Sequence, residues 1–598
     1  MVASPTIPAI RELPVAAPLL LVALALFFGG GPSDGSIFWV GTGAVVALLV
    51  LLATVGVPGG WVATLPLALL AVWCAVSITW SGLPDRSWDY ANRAFVYASL
   101  AALGLWAAPR TRALANGLAV VLGALIAWSL LGKVLPPVYD YGGPDVTRLR
   151  GPIGLWNQLA LATDYALALA LALRRVPGTL LAYVSVVALI LTYSRGGILT
   201  AILVCFAWFA FSRERRESFA TLVAGALPAA VVAGIAFALP GITANAQPLH
   251  VRWRDGLVFG ALLVAGAAAS MLLLRVPRPR DVRVPARAAV AIALVVVAAG
   301  IAVVAVHGIG SGTVGNGGGR IGSTSSNFRF TWWKQAWNGF RDHPLAGTGA
   351  GSFHLLNLRF RTSYLDFTIE PHDLPVQMLA ELGLVGLALF VLACAALIRP
   401  ALRRSGHELA LALFLPAFLV HSLVDVDWDF VAVAAPAFVA AGALAGRPAT
   451  RRASGAALLP ALGVAILAVG SLISPWLARR WSNDALAASP ARAIALANRA
   501  HALDPLLVDP YWAKAIALDT QGRTRAAFAQ YVAAVHRQPK NPQTWLAAGE
   551  YAKTAGCPYL EYDYLERYTE LDPNARPSEG GNDYRDALYK VNHRQYRC

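Results

Sequence analysis

About fifteen stretches of about 17 to 24 apolar residues recur along this 598-residue chain, each long enough to cross a bilayer hydrocarbon core of about 30 Å. Nothing else in the sequence constrains the fold as strongly. Inside lipid every backbone N–H and C=O must be paired within the protein, and only helices or closed barrels achieve that. Barrel strands alternate apolar and polar residues, whereas Leu19 to Phe28 and Ala288 to Val306 are apolar on every face. The chain is therefore read as an all-α polytopic membrane bundle of about 12 to 15 spans. Composition agrees: 57% of the residues are hydrophobic and 14% charged, where a soluble surface needs about a quarter charged.

The 49 Lys and Arg against 33 Asp and Glu give a net charge of +16. Most of that excess lies in short loops between spans, where it reads as the positive-inside signal and not as a nucleic-acid surface. Eleven spans fit between residues 14 and 307 and four between 374 and 475. Arg110 and Arg112, Arg174 and Arg175, Arg213 to Arg216, Arg275 to Arg287, Arg399 to Arg404 and Arg447 to Arg452 then share one side. That side is expected to be the cytoplasm, with the N-terminus on it as a retained first helix and not a removed signal peptide. The uncharged turn Val55 to Gly60 is the weak point, because a miscount there would flip the N-terminal spans. The segments expected are N-terminal spans over 1–307, an extracytoplasmic loop over 308–371, C-terminal spans over 372–476, a repeat domain over 484–575 and a polar tail over 576–598. Cys74, Cys205 and Cys394 sit inside spans, while Cys557 and Cys598 lie on the outer side, where a disulfide is allowed but not required.

The repeat domain rests on spacing. Pro505, Pro539 and Pro573 are 34 residues apart, as are Gly522 and Gly556. A 34-residue period with Gly at a tight turn and Pro after a second helix resembles the tetratricopeptide repeat, whose stacked helix pairs bind protein partners. A plain stalk or cap is the other reading.

Few ionisable residues lie within the spans. Asp164 and Glu381 do, and charge in hydrocarbon faces a cavity or a partner. Asn157 lies seven residues before Asp164, on the same helical face. Arg195, in Ser194-Arg195-Gly196-Gly197, stands alone between two spans; a fixed guanidinium fork suits phosphate oxygens, and an arginine snorkelling to the interface is the alternative. The outer loop carries Arg329 among Phe328, Trp332, Trp333, Lys334 and Trp337, then the glycines 347, 349 and 351. Its aromatics suit a sugar, an anionic headgroup or an interfacial belt. The loop ends at Glu370-Pro371-His372-Asp373, where a neutral imidazole could take a proton from a hydroxyl. Asp425, Asp427 and Asp429 alternate in a short outer loop beside His421. Alternating carboxylates can hold a divalent cation, but a solvated interfacial loop is the expectation, and no metal is assigned.

The order of these residues, with Gly154 to Ala160 around Asn157, Arg195 at a span end, Arg329 four before Trp333, Pro344 to Gly351, and His372 leading to Glu381-Leu382-Gly383, resembles the O-antigen ligase and polymerase superfamily over about residues 60 to 440. The resemblance implies transfer of a glycan from undecaprenyl pyrophosphate to lipid A core, a growing glycan or a protein, outside the cytoplasmic membrane; no cofactor is assigned. It implies that Arg195 and Arg329 hold the pyrophosphate and that His372 activates the acceptor hydroxyl. Apart from the resemblance, a hydroxyl attacking C1 of a sugar needs a base, for which Asp373, Asp164 and Glu381 are candidates beside His372, with Asn157 a further secondary position. Trp156 and Asp373 depart from the residues frequent in the family at those places. A lipid-linked glycan transporter is the rival from another class, but related halves are not evident. An assembly platform built on the repeats would leave Arg195, Arg329 and His372 without a joint purpose.

Overall fold

In the computed structural model, residues 8–28, 30–31, 33–138, 147–275, 323–401, 404–451, 454–575 and 582–592 are described. Helices dominate, as the apolar stretches require. In chain order they are α1 (Pro8–Phe27), α2 (Asp34–Thr54), α3 (Leu65–Ser77), α4 (Pro84–Ala107), α5 (Thr111–Val134), α6 (Trp156–Leu173), α7 (Arg175–Thr192), α8 (Arg195–Phe211), α9 (Arg215–Ala236), the short α10 (Pro240–Thr243) and α11 (Leu249–Arg275). They continue with α12 (Arg329–Asp342), α13 (Phe353–Phe360), α14 (Leu374–Ile398), α15 (His407–Ala412), α16 (Phe414–His421), α17 (Val431–Ala445) and α18 (Gly455–Leu486). Every expected span is a helix or a pair of short helices, except 288–307, which lies outside the described residues. Seven candidate spans among the described residues are long and apolar enough to cross a bilayer, and four shorter apolar ones accompany them.

The chain forms two compact units that do not run as consecutive stretches. The first holds residues 1–66, 96–327 and 392–465, the second 67–95, 328–391 and 466–598. At the centre of the first unit, α6 is buried along nearly its whole length and packs on α5, α7 and α8. Helix α17 is buried throughout, and it meets the later turns of α4 backbone to backbone. A Cβ on Gly442 would lie 1.9 Å from the Ala101 carbonyl oxygen, and one on Gly104 would lie 2.2 Å from that of Val439. Close approach through small residues supplies the van der Waals contact that drives helix association where apolar surface has no water to escape.

Contacts among loops resolve the weak point of the topology. The strand β1 (Val57–Gly59), within the uncharged turn, pairs antiparallel with β2 (Arg447–Arg451), so that turn lies on the same side as the Arg447 loop. Arg110 likewise pairs with Glu12 at 3.0 Å, Thr111 donates to Glu408 at 3.1 Å, and Arg174 pairs with Glu217 at 2.5 Å. Among the described residues, several of the arginine-rich loops expected on one side therefore touch a neighbour expected on the same side.

In the second unit, α12 buries Trp332, Gln335, Ala336 and Gly339, one helical stripe at i, i+3, i+4 and i+7. It leaves Phe330, Lys334 and Trp337 exposed. Trp332 and Ala336 form a core with Phe353, Leu356 and Ala380. The segment carrying α12 and α13 is thus a folded element that shares a core with α14.

Helix α14 is broken. Gly383 has φ 66° and ψ −164° inside it, which frees backbone groups that lipid could not satisfy. The glycine segment after α12 pairs with them. Thr348 N donates to the Ala380 carbonyl at 3.1 Å and Gly349 N to that of Glu381 at 2.8 Å, while Leu384 N and Val385 N donate to Pro344 and Leu345 at 2.9 and 3.3 Å. The Trp73 indole takes the Leu382 carbonyl at 3.1 Å. Gly347 (φ 68°) is needed for the approach, since a Cβ there would sit 2.2 Å from the Glu381 carbonyl carbon.

After α18 come α19 (Pro490–Leu503), α20 (Asp509–Thr520), α21 (Thr524–Arg537), α22 (Pro542–Thr554) and α23 (Pro558–Leu571). Helices α20 and α21 pack as one pair and α22 and α23 as the next. Gly522 and Gly556 take the left-handed turn within each pair, at φ 71° and 73°, a conformation that costs glycine least. The tail expected to be merely polar carries a further helix, α24 (Asn582–Asn592), packed on α23 through Tyr584 stacked on Tyr562. Cys598 lies outside the described residues.

Candidate active site

In the first unit, α7 ends at Tyr193 in the left-handed region, φ 53°. Ser194 then caps α8, its hydroxyl accepting from Gly197 N at 3.2 Å. Arg195 is therefore the first residue of α8. A Cβ on Gly197 would lie 2.4 Å from that of Ala160, so this glycine lets the start of α8 abut α6. The half-buried Arg195 guanidinium donates to the carbonyls of Ser323 and Ser325, the latter at 2.8 Å. It thereby holds the backbone four to six residues ahead of Arg329 in sequence.

Beside Arg195 lies a buried polar network that sequence reasoning divided among separate loops. Arg148, fully buried, donates from Nε to the Thr192 carbonyl at 2.8 Å, reaches Asn157 Oδ1 at 3.4 Å and lies 4.0 Å over the Trp156 ring. Asn157 donates to Asp425, and Gln158 donates to Asp427 at 3.1 Å. Asp427 also accepts from Ser422 at 3.1 Å and lies 2.7 Å from His421 Nδ1. The expectation of a solvated loop is therefore overturned: Asp425, Asp427 and Asp429 are 3%, 0% and 4% exposed. Carboxylates taken out of water persist only with partners, and for Asp425 and Asp427 side chains from α6 and the end of α16 provide them. No group of three or more His, Cys, Asp or Glu able to hold a metal occurs among the described residues. The alternation of three aspartates beside His421 was visible in sequence; the partner Gln158, far away in the chain, and Arg148, which reaches Asn157, were not. Asp164 is fully buried in α6, and neither of its carboxylate oxygens has a hydrogen-bond partner among the described residues.

Asn327, which ends a first-unit stretch, and Phe328, which opens one of the second unit, both have positive φ, 52° and 62°, immediately before Arg329 starts α12. His372 has φ 56°. Of the seven non-glycine residues in this region among those described, four (Tyr193, Asn327, Phe328 and His372) flank or form the candidate positions. Such strain persists only where the surroundings over-determine it, and at His372 they do. Its ring stacks on Trp332 with centroids 4.9 Å apart and planes 23° apart. The Trp333 indole donates to the Pro371 carbonyl at 3.1 Å. Glu370 is held by Arg86 at 3.1 Å.

The two acidic neighbours of His372 have other occupations. Asp373 caps α14, its Oδ1 accepting from Val376 N at 2.9 Å; burial raises its pKa while that amide bond opposes the rise. Glu381, buried, accepts from Gly351 N at 2.9 Å and Phe353 N at 3.0 Å, and so fastens the glycine segment and the start of α13. Arg329, His372, Asp373 and Glu381 are in one unit; Arg195, Asn157 and Asp164 are in the other.

His354, on α13, gives this segment a pH dependence. Burial pushes its pKa down to about 4 from the ordinary 6.5, with the Arg86 and Arg361 guanidinium groups acting in the same direction. Between those values the unfolded chain binds a proton that the folded chain does not. Stability therefore falls as pH drops from about 6.5 towards 4 and is level above that window. Melting of the purified protein at pH 7.5 and 5.0 should show a drop that His354→Gln reduces; equal slopes would remove His354 as its source.

No curated protein matches the chain significantly. Residues 258–391 match the family model described as O-antigen ligase, a stretch that includes Arg329, His372, Asp373 and Glu381. Over those residues the chain is similar to O-antigen ligases, and the similarity supports a membrane glycosyltransferase of that general kind.

Proposed function

We propose that this protein transfers a glycan from an undecaprenyl-pyrophosphate donor to an acceptor hydroxyl at the outer face of a bacterial cytoplasmic membrane, with the C-terminal helices extracytoplasmic. The observation that carries the reading is the constrained imidazole of His372, held in a left-handed conformation against Trp332 within the stretch that resembles O-antigen ligases. In this reaction the acceptor oxygen bonds to C1 of the donor sugar as the bond from C1 to the pyrophosphate oxygen breaks. His372 takes the hydroxyl proton, and Arg195 and Arg329 neutralise the charge that grows on the leaving pyrophosphate. Ligation to a lipid core, polymerisation and protein glycosylation share this donor chemistry and differ only in the acceptor. A purified-protein assay with a lipid-linked glycan and each acceptor class in turn tests the reading. No transfer to any of them would reject it.

A transporter would use the break in α14 as a substrate site. Here the freed backbone groups of Ala380, Glu381, Leu382, Leu384 and Val385 are already taken by the chain's own loop and by Trp73, so they are not open to a ligand. If guanidinium groups do the neutralising, transfer should persist in excess chelator without added divalent ion. Loss of transfer that magnesium restores would overturn the arginine mechanism.

A further inference from the structure

The residue preceding each repeat proline is buried and polar. Asp504, Gln538 and Asp572 recur at 34-residue intervals, each follows the last residue of its helix as the C-cap of α19, α21 or α23, and they are 0%, 2% and 2% exposed. A solvated stalk has no reason to bury the same position three times. Buried polar groups need partners, and two of these three find theirs outside the repeats. Gln538 donates to Asp85 Oδ1, in the first turn of α4, at 2.7 Å. Asp85 also lies 3.7 Å from Arg479, and both act on the Asp504 carboxyl, which burial raises. Asp572 accepts both arms of Arg361, from Nε at 2.9 Å and from the terminal nitrogen, and Asn574 donates to the Arg361 carbonyl at 2.7 Å. One edge of the helical array is thus occupied by α4 and the outer segment.

Arg361 begins the stretch that ends at His372, and that stretch is tied at each step. The Asp366 carbonyl accepts from Trp332 at 2.7 Å and Asn357 at 3.0 Å. Thr368 N donates to Asn357 at 3.1 Å, and the Pro371 carbonyl is held by Trp333. A fork-to-fork guanidinium–carboxylate pair is the strongest and most directional anchor available for such a stretch. We propose that the repeat helices are an integral clamp on the outer segment, and that Arg361 and Asp572 are positioning residues that fix the backbone leading to His372. The catalytic consequence rests on His372 acting as the base; the clamp itself does not.

The test uses the full-length protein in lipid nanodiscs, with Asp572→Asn, Asp572→Ala and the exchanged pair Arg361→Asp with Asp572→Arg. Amide hydrogen exchange over residues 362–373 is expected to quicken at least about tenfold in both single variants. The turnover number should fall about ten- to a hundredfold with the donor KM unmoved, as expected when a base is misplaced and donor binding is not. The exchanged pair should recover part of both. Unchanged exchange over 362–373 in Asp572→Asn would overturn the proposal. So would faster exchange with unchanged turnover, because the pair would then hold the repeats without positioning His372. Faster exchange, recovered in the exchanged pair, in a wild-type protein that transfers no glycan would support the clamp while removing the transferase reading, so the two failures are distinct.

Discussion

His372→Ala is expected to bind a lipid-linked glycan nearly as well as the wild type while turning it over about 10² to 10⁴ times more slowly. The reasoning follows where each group acts along the reaction. A base touches only the acceptor hydroxyl, so its loss spares donor affinity. Arg195→Ala and Arg329→Ala should instead weaken donor binding and slow transfer by about 10² to 10³, because a guanidinium on the pyrophosphate contributes before the transition state and more strongly in it. His343→Ala is the control, since His343 is exposed at the end of α12. Because His372 also packs on Trp332, His372→Gln, which keeps much of the side-chain volume, should be as slow as His372→Ala. Donor affinity and single-turnover rate of each purified variant decide the matter. Near-normal turnover by His372→Gln would end the assignment as base, and unchanged donor affinity in both arginine variants would return them to interfacial roles.

The second large effect concerns the break in α14. Gly347→Ala and Gly383→Ala should each destabilise the protein by about 2 to 5 kcal/mol, combining the cost of a left-handed non-glycine residue, about 1 to 2 kcal/mol, with overpacking of about 1 to 3 kcal/mol. The obstacle is backbone in both cases: a Cβ on Gly347 would lie 2.2 Å from the Glu381 carbonyl carbon, and one on Gly383 would lie 2.3 Å from that of Leu345. Glu381→Ala should be comparable, since it strands the buried amides of Gly351 and Phe353 at about 1 to 3 kcal/mol each. Glu381→Gln, which keeps an acceptor oxygen, should be milder. Gly463→Ala, on α18 with nothing within 4 Å of a new Cβ, should be neutral or slightly stabilising. Monodisperse yield and melting temperature in detergent provide the comparison. Gly347→Ala as stable as Gly463→Ala would show that the loop is not fastened to the break.

The helical class was legible because hydrocarbon leaves a chain few choices: an apolar run near twenty residues must be a helix. The left-handed turns at Gly522 and Gly556 were legible for a similar local reason, being fixed by a 34-residue period. The sequence also singled out Arg195, Arg329 and His372 as candidates.

Tertiary structure decided what depends on partners distant in the chain. Asp425 and Asp427 read as solvated because the local sequence around them is polar, yet Asn157 and Gln158, more than 260 residues earlier, bury them. Glu381 and Asp373 read as alternative bases because a carboxylate near a histidine resembles one; hydrogen bonding gives the first to the amides of Gly351 and Phe353 and the second to the cap of α14. Val55 to Gly60 carried no charge from which to read a side, and a strand pairing with Arg447 to Arg451 supplied it. The physical reason is common to all three. Burial and chain crossing are set by which surfaces meet, and a one-dimensional pattern records a residue's own preference for water but not the identity of the group that replaces the water.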